Sequence, residues 1–314
     1  MHSVLGDTIT SEASYTRANP GFDKMSTTPS IPALRVIAGL DLSDRSQAAF
    51  ARACELAQAS NGTLSMLHVI SDALPGRLRE DHERYGKEAL DTYALRARAK
   101  GVGHIDQSMP CGREYEQLVA AVKTGGADLV VLGRHRPSSV LQDMLGTTVD
   151  RVLRLGNVPV LLARSGEEGP YKNILVAVDF SPASRRALQQ TIRWFPAAQI
   201  TVIHAFGSPR RLLADAAARK SIAETHRLAL KGFIDEVGTA LGPDYAGPVA
   251  SITSIVEHGW AEDVVLSRAD ATKPDLVVLG THARSGIGHA LLGSVAEIVL
   301  LEAPCDVMAV PPAN

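Results

Sequence analysis

The chain reads as an α/β protein of two tandem doubly wound domains, each a five-stranded parallel sheet with helices on both faces. Three observations carry this. The sequence is written twice, short apolar runs alternate with longer stretches of helical periodicity, and each copy follows its fourth apolar run with a glycine-led loop. "RVIAGLDLSDRSQAAFARACELA" (35–57) matches "NILVAVDFSPASRRALQQTIRWF" (173–195), and "GTLSMLHVI" (62–70) matches "AQITVIHAF" (198–206). "ADLVVLG" (127–133) matches "PDLVVLG" (274–280), and "NVPVLLAR" (157–164) matches "EAPCDVMAV" (302–310). A length of 314 residues suits two domains at roughly 100–200 residues each.

In the first copy, strands are expected near 35–40, 63–69, 104–109, 128–132 and 158–162, with helices near 44–59, 77–100, 113–124 and 146–155. The strands are short apolar runs rich in Val, Ile and Leu, as expected of strands covered on both faces. Alternation of strand and helix predicts a parallel sheet with right-handed crossovers. The second copy repeats the strands at 173–178, 199–205, 248–255, 275–279 and 305–310. Asp41 and Asp179 stand 138 positions apart, whereas Gly133 and Gly280, like Gly146 and Gly293, stand 147 apart. The second copy is therefore longer between its first strand and Gly259, in the helix "RRLLADAAARKSIAETHRLALKGFIDEVG" and the loop after it. "RSGEEGPY" (164–171) has the composition of a linker. Cys54 is placed on the inner face of a helix with Phe50 and Ala57. "RLREDHERYGKEAL" (77–90) is a solvated helix face, with a Glu80–Arg84 pair expected along it.

Domains at 34–165 and 171–312 follow, preceded by a polar, aperiodic segment 1–33 read as a disordered tail. That segment lacks the basic and apolar regions of a secretory signal, and Met25 is expected to be the natural start. No window approaches ~20 uninterrupted apolar residues, so no transmembrane helix is expected. A formal net charge of -2 gives no bulk attraction to nucleic acid or anionic membrane. Aromatic content of 4% argues against base-stacking platforms. Three scattered cysteines without a CxxC argue against a disulfide framework and a thiolate zinc site, and fit a reducing cytoplasm.

Ligands of open parallel sheets bind beyond the carboxyl ends of the strands. Asp41 and Asp179 follow the first strand of each copy, and the Gly133 and Gly280 loops follow the fourth. In "VVLGTHARSGIGHALLGSVAEIVL" (277–300), Gly280 lets the backbone approach a ligand closely. Gly293-Ser294 opens a helix whose free N–H groups attract an anion, while the Ser294 hydroxyl and Arg284 add donors. A nucleotide's phosphates suit that cradle; the competing reading is that both glycines only make tight turns and caps. This is not a Walker loop, since no GKS or GKT follows. His282, His289, His204 and His258 show neither HxxxH nor HExxH, so backbone-bonded histidines are expected rather than a metal site. No G-x-S-x-G elbow or paired catalytic carboxylates occur, and no catalytic residue is assigned.

These residues resemble the universal stress protein family, over nearly all of Arg35 to Pro312 and in two tandem copies. Its nucleotide-binding members carry G-x2-G-x9-G-[ST] after the fourth strand and an Asp ending the first. Gly280, Gly293 and Ser294 match in the second copy; Gly133, Gly146 and Thr147 match in the first. The motif's second glycine is Ala283 in one copy and Arg136, followed by Pro137, in the other. Proline fixes its own φ and restricts its neighbour, which ranks the second copy as the better site and the first as degenerate.

The resemblance implies an adenine nucleotide alpha hydrolase-like fold packed as an intramolecular pseudo-dimer through the two last strands. It implies an ATP site in the second domain formed by Ala177, Val178, Asp179, Ala205, Gly280, His282, Arg284, Gly293, Ser294 and Val295. Asp179 would take a ribose hydroxyl or help hold Mg²⁺ bridged to phosphates; compatibly with that, "DFSP" places Asp179 or Ser181 to cap the helix whose first turn has Pro182. The first-domain counterparts are Asp41, Val69, Gly133, Arg134, Gly146 and Thr147. The function implied is that of a cytoplasmic stress-response regulator, with a nucleotide-independent interaction scaffold and a slow ATPase as alternatives. A protein partner and a homodimer stay open.

Overall fold

Ten strands form one sheet in the order β3-β2-β1-β4-β5-β10-β9-β6-β7-β8. They are β1 (Arg35–Gly39), β2 (Thr63–Leu67), β3 (His104–Ser108), β4 (Leu129–Gly133), β5 (Val160–Ala163), β6 (Asn173–Ala177), β7 (Gln199–Phe206), β8 (Thr253–His258), β9 (Leu276–Gly280) and β10 (Asp306–Val310). This computed structural model describes residues 28–43, 46–133, 148–164, 169–207, 216–281 and 292–313. Each half is a parallel five-stranded sheet of order 3-2-1-4-5. The halves join where β5 and β10 pair antiparallel, Val307 opposite Leu162 and Ala309 opposite Val160. In each half the first and fourth strands are neighbours, Val36 beside Leu129 and Ile174 beside Leu276.

The helices are α1 (Ser46–Ala59), α2 (Gly76–Ala99), α3 (Glu114–Gly125), α4 (Pro182–Trp194), α5 (Ala216–Leu241), α6 (Ala246–Ala250), α7 (Ala261–Thr272) and α8 (Ser294–Glu302). Because successive strand residues point to opposite faces, the core divides into two layers that each run through both halves. Val36, Ala38, Ile174, Val176 and Val278 bury against Phe50 and Cys54 of α1, Leu90 of α2, Leu188 of α4 and Phe233 of α5. Ile37, Val130, Leu175 and Val277 bury against Leu118 of α3, Val265 of α7 and Val299 of α8. The fully covered strands explain why the apolar runs are continuous rather than alternating.

Three local expectations are revised. The third strand of the second half starts at Thr253 rather than 248, because 243–250 fold into a short 3₁₀ turn (Pro243–Tyr245) and α6. Pro248 stands in the first turn of α6, where a missing N–H costs nothing. The extra length of the second half thus lies after α5, as structure rather than loop. The helix expected to 155 passes into a π-helical segment, Val152–Gly156, closed by Asn157 in the left-handed region at φ 49°. On α2, Arg84 pairs with Asp81 at 2.6 Å instead of with Glu80.

The junction of the halves is tied by a buried polar cluster. Asp306 of β10 is 1% exposed. Its Oδ2 accepts from Tyr171 Oη at 2.7 Å and from Arg52 Nε of α1 at 3.2 Å, and its Oδ1 accepts the Arg164 N–H at 2.8 Å. Burial pushes the Tyr171 hydroxyl well above its ordinary range, so it stays a donor. A buried carboxylate is tolerable only when so completely bonded.

Candidate functional site

The second half builds its site from the end of β6. Asp179 is followed by Phe180 at φ 66°, a left-handed conformation unusual for a bulky side chain. That turn brings Ser181 to the N-cap of α4, where its Oγ accepts the Ser184 N–H at 3.2 Å, with Pro182 at the first helical position. Capping therefore falls to Ser181 and not to Asp179. The Asp179 Oδ1 accepts the Ser181 N–H at 3.0 Å, and the residue lines a cavity beside the sheet. The backbone just before it is held by His204 of β7, whose Nδ1 lies 2.8 Å from the Val178 carbonyl. A carbonyl only accepts, so that nitrogen carries the proton. His204 Nε2 meets His226 Nδ1 of α5 at 3.1 Å.

The cavity, of about 120 Å³, lies where β6, β7 and β9 end. Ala177, Val178, Ile203, Ala205 and Leu279 form its apolar floor, and Ala261 and Val265 of α7 form one wall. The opposite rim is Gly280, Thr281 and the start of α8, Gly293 to Ala296. Gly280 has no unusual φ; what matters is its missing side chain. A Cβ there would stand 2.6 Å from the Ser184 nitrogen and 2.8 Å from the Ala183 carbonyl carbon, so glycine lets α4 start against the end of β9. Gly293 hydrogen-bonds Thr281 O at 2.9 Å and is the N-cap of α8, where no side chain caps the first turn. The opening amides of α8 thus face the cavity mouth without a side-chain acceptor, and they carry the positive end of the helix dipole. From across the junction, Asp150 Oδ1 accepts the Leu292 N–H at 3.2 Å, fixing the approach to Gly293.

An anion-seeking helix start, a strand-end carboxylate and an apolar cleft share one crevice, and the same fold occurs twice. The profile of the universal stress protein family matches residues 33–164 and again residues 170–311. The chain belongs to the universal stress protein family. It is 24% identical over 312 residues to a universal stress protein of Mycolicibacterium smegmatis, an alignment spanning 88% of this chain and 97% of that one. Universal stress protein E of Escherichia coli K12 is 25% identical over 218 residues, 64% of this chain and 66% of that relative's length. The crystal structure of a universal stress protein from Archaeoglobus fulgidus shares the fold. Its TM-score is 0.65, over 90% of this chain and 98% of that one, at 17% identity.

Of the second-domain residues expected from the sequence, Ala177, Val178, Asp179, Ala205, Gly280, Gly293, Ser294 and Val295 all line this one cavity. His282 and Arg284 lie outside the described residues. In the first universal stress protein domain, Asp41 and Val69 follow β1 and β2, and Gly133 ends β4, while Arg134, Gly146 and Thr147 lie outside the described residues. Sequence reasoning missed Ser184, Thr281, Ala261 and Val265. Thr281 follows Gly280 directly and is 1% exposed; Ser184 repeats at Ser46. The α7 residues gave no chemical signal, because an alanine and a valine on a helix read as core. Nor did Phe180, or Leu42 at φ 59° in the equivalent place: a left-handed Phe or Leu is invisible to propensity.

Among the described residues no cluster of His, Cys, Asp and Glu could hold a metal. None of their helices is long and apolar enough to cross a membrane.

Proposed function

We propose that this universal stress protein binds an adenine nucleotide, ATP, chiefly in its second domain, and acts as a cytoplasmic stress-response regulator. The observation that carries the reading is the adjacency of β6 and β9, which brings Asp179 and the uncapped start of α8 to opposite sides of one apolar cavity. The base would lie on Val178, Ile203 and Ala205, and the phosphates toward the amides of Ser294 and Val295 and the Ser294 hydroxyl. Asp179 would take a ribose hydroxyl or a Mg²⁺ bridged to phosphate. These residues fit the group: an apolar cleft for the base, amides without a side-chain cap among the described residues for anions, and a carboxylate beside them. Arg284 and His282 extend the same proposal.

Occupancy would order the approach to Gly293, which Asp150 of the other domain already holds. The nucleotide's state would then be legible at the domain junction to a protein partner. A second reading, an interaction scaffold with vestigial sites, is favoured by Asp41, whose carboxylate is taken up by its own loop.

Calorimetric titration of Mg·ATP tests this, beside Gly293→Val. Gly293 has φ -62° and ψ 142°, which valine accepts, but a Cβ would stand 3.0 Å from Thr281 O at the mouth. One-site binding removed by the variant is the expected result. No binding at millimolar ATP sinks the nucleotide reading and leaves the scaffold; steady turnover without added partner favours a slow ATPase.

A further inference from the structure

The cavity where β6, β7 and β9 end holds about 120 Å³. An apolar cavity of about 150 Å³ takes a single benzene ring, so this one is too small to enclose the two fused rings of a purine. It is a slot for one edge of a base, and the rest of the ring stands at the mouth. What covers that part decides which base is preferred and how tightly it is held.

One side of the mouth is the start of α7. Ala261 and Val265 line the cavity, and Trp260 precedes Ala261 as the N-cap of α7, at φ -70° and ψ 137°. Its Cα is one peptide step, about 3.8 Å, from that of the wall residue. Gly259 sets the approach: a Cβ there would stand 2.8 Å from Val264 Cγ2, so glycine lets the end of β8 turn closely onto α7. Neither capping nor packing accounts for a tryptophan at this position. N-caps favour Ser, Thr, Asp or Asn, and no side-chain cap hydrogen bond forms here among the described residues. The side chain is not core either, since Trp260 is 77% exposed whereas the other tryptophan, Trp194, is 6% exposed.

The first domain fills the same position differently. Arg113 and Glu114 stand 147 positions before Trp260 and Ala261. Arg113 is the N-cap of α3, and its exposed guanidinium pairs with Glu116 at 3.6 Å. Two charged side chains thus stand where the second domain has an indole and a methyl. The indole belongs to the domain whose Asp179 accepts one backbone N–H among the described residues. The charges belong to the domain whose Asp41 is bonded by its own loop.

Resting on the nucleotide reading above, we propose that Trp260 determines the base specificity of the second-domain site. Its indole folds over the cavity mouth and stacks on the part of the base that the slot leaves outside. An exposed side chain changes rotamer in ps–ns, so this cover needs no backbone movement. A purine offers the indole more stacked area than a pyrimidine does, so the contact favours Mg·ATP over Mg·CTP.

Calorimetry and tryptophan emission together test this on the whole protein. Acrylamide quenches the exposed Trp260 and spares the buried Trp194, so Mg·ATP should protect the emission, with saturation at the calorimetric Kd. The Trp260→Phe protein, left with Trp194, should show no such protection. Trp260→Ala should bind Mg·ATP about five- to a hundredfold more weakly, the range of one base–aromatic stack, with an unchanged unfolding midpoint. Trp260→Phe, which keeps a ring, should recover most of that loss, and the preference for Mg·ATP over Mg·CTP should shrink in Trp260→Ala. Three outcomes overturn the proposal and leave the nucleotide site standing: undiminished Mg·ATP affinity in Trp260→Ala, unchanged acrylamide quenching at saturating Mg·ATP, or an equal loss of affinity for Mg·ATP and Mg·CTP. Absence of calorimetric binding to the unaltered protein at millimolar Mg·ATP is a separate failure, which removes the nucleotide reading and this inference with it.

Discussion

Asp41 and Asp179 close the first strand of their domains in the same local sequence, Asp-x-Ser-x-x-Ser, and each precedes a residue in the left-handed region. What surrounds them differs. Asp41 Oδ1 accepts from the Ser43 N–H at 3.0 Å, from Ser43 Oγ at 2.6 Å and from Ser46 Oγ. Around Asp179 the two hydroxyls are spent elsewhere: Ser181 Oγ caps α4, and Ser184 Oγ donates to Ser181 O at 3.1 Å. Pro182 stands where the first domain has Asp44, and it commits Ser181 to the cap of a helix that starts one residue later. A carboxylate gathered up by its own hydroxyls would have to surrender those bonds to take a ligand. One that accepts a single backbone N–H among the described residues has capacity to spare. The same six-residue frame thus serves as a staple in one domain and as a site wall in the other.

The largest expected effect comes from breaking the frame of the second domain outright. Gly280→Val places a Cβ against backbone atoms of α4, which cannot swing aside as a side chain would. Denaturant unfolding should show a loss of about 2–3 kcal/mol, the upper part of the overpacking range, and Mg·ATP binding should vanish by calorimetry. The contrast itself is tested by a matched pair. Asp179→Ala should weaken Mg·ATP about tenfold or more, equivalent to about 1.4 kcal/mol, with little change in unfolding midpoint. Asp41→Ala should do the reverse, losing about 1 kcal/mol of stability from its lost hydrogen bonds while leaving nucleotide affinity and stoichiometry unchanged. Should Asp41→Ala instead lower the stoichiometry, the first domain holds a working site and the contrast is false.

Much of this was legible because it is written in periodicity and repetition. Continuous Val, Ile and Leu runs marked covered strands, the duplicated β1–α1 and β9 stretches marked the two domains, and the final strands were expected at the joint, where β5 and β10 do pair. The start of β8 was misread because "PVASITSIV" (248–256) carries β-branched residues from Val249 to Val256, and Pro248 is compatible with either edge strand or helix start. In the site, the glycines and aspartates were legible since their chemistry is local. The contacts that assemble it were not. Asp150 reaching Leu292 and His204 holding Val178 O are long-range pairings. No spacing in the sequence encodes them.

A smaller effect is expected where the first domain lends a residue to the second. Asp150→Ala removes the acceptor for the Leu292 N–H and loosens the approach to Gly293 without touching the cavity itself. A hydrogen bond worth about 0.5–1.5 kcal/mol corresponds to a roughly two- to twelvefold weaker Mg·ATP affinity. Asp150→Asn, which keeps a side-chain carbonyl acceptor, should recover most of it. An unchanged affinity in Asp150→Ala would mean that the two domains do not communicate through this contact.

The gentlest probe uses a difference that changes no stability. Cys111 occupies the first-domain position that His258 holds in the second, at the start of the loop into α3, and it is exposed. Burial pushes Cys54 and Cys305 each up to about 12, so near pH 8 only about one in ten thousand of either is thiolate. A disulfide-exchange reagent should therefore titrate one fast thiol in the folded protein and three after unfolding, with Cys111→Ser abolishing the fast one. Saturating Mg·ATP should leave the rate at Cys111 unchanged if nucleotide is confined to the second domain. Protection of Cys111 would instead put a nucleotide over the end of β3 and make Asp41 a ligand in spite of its serines.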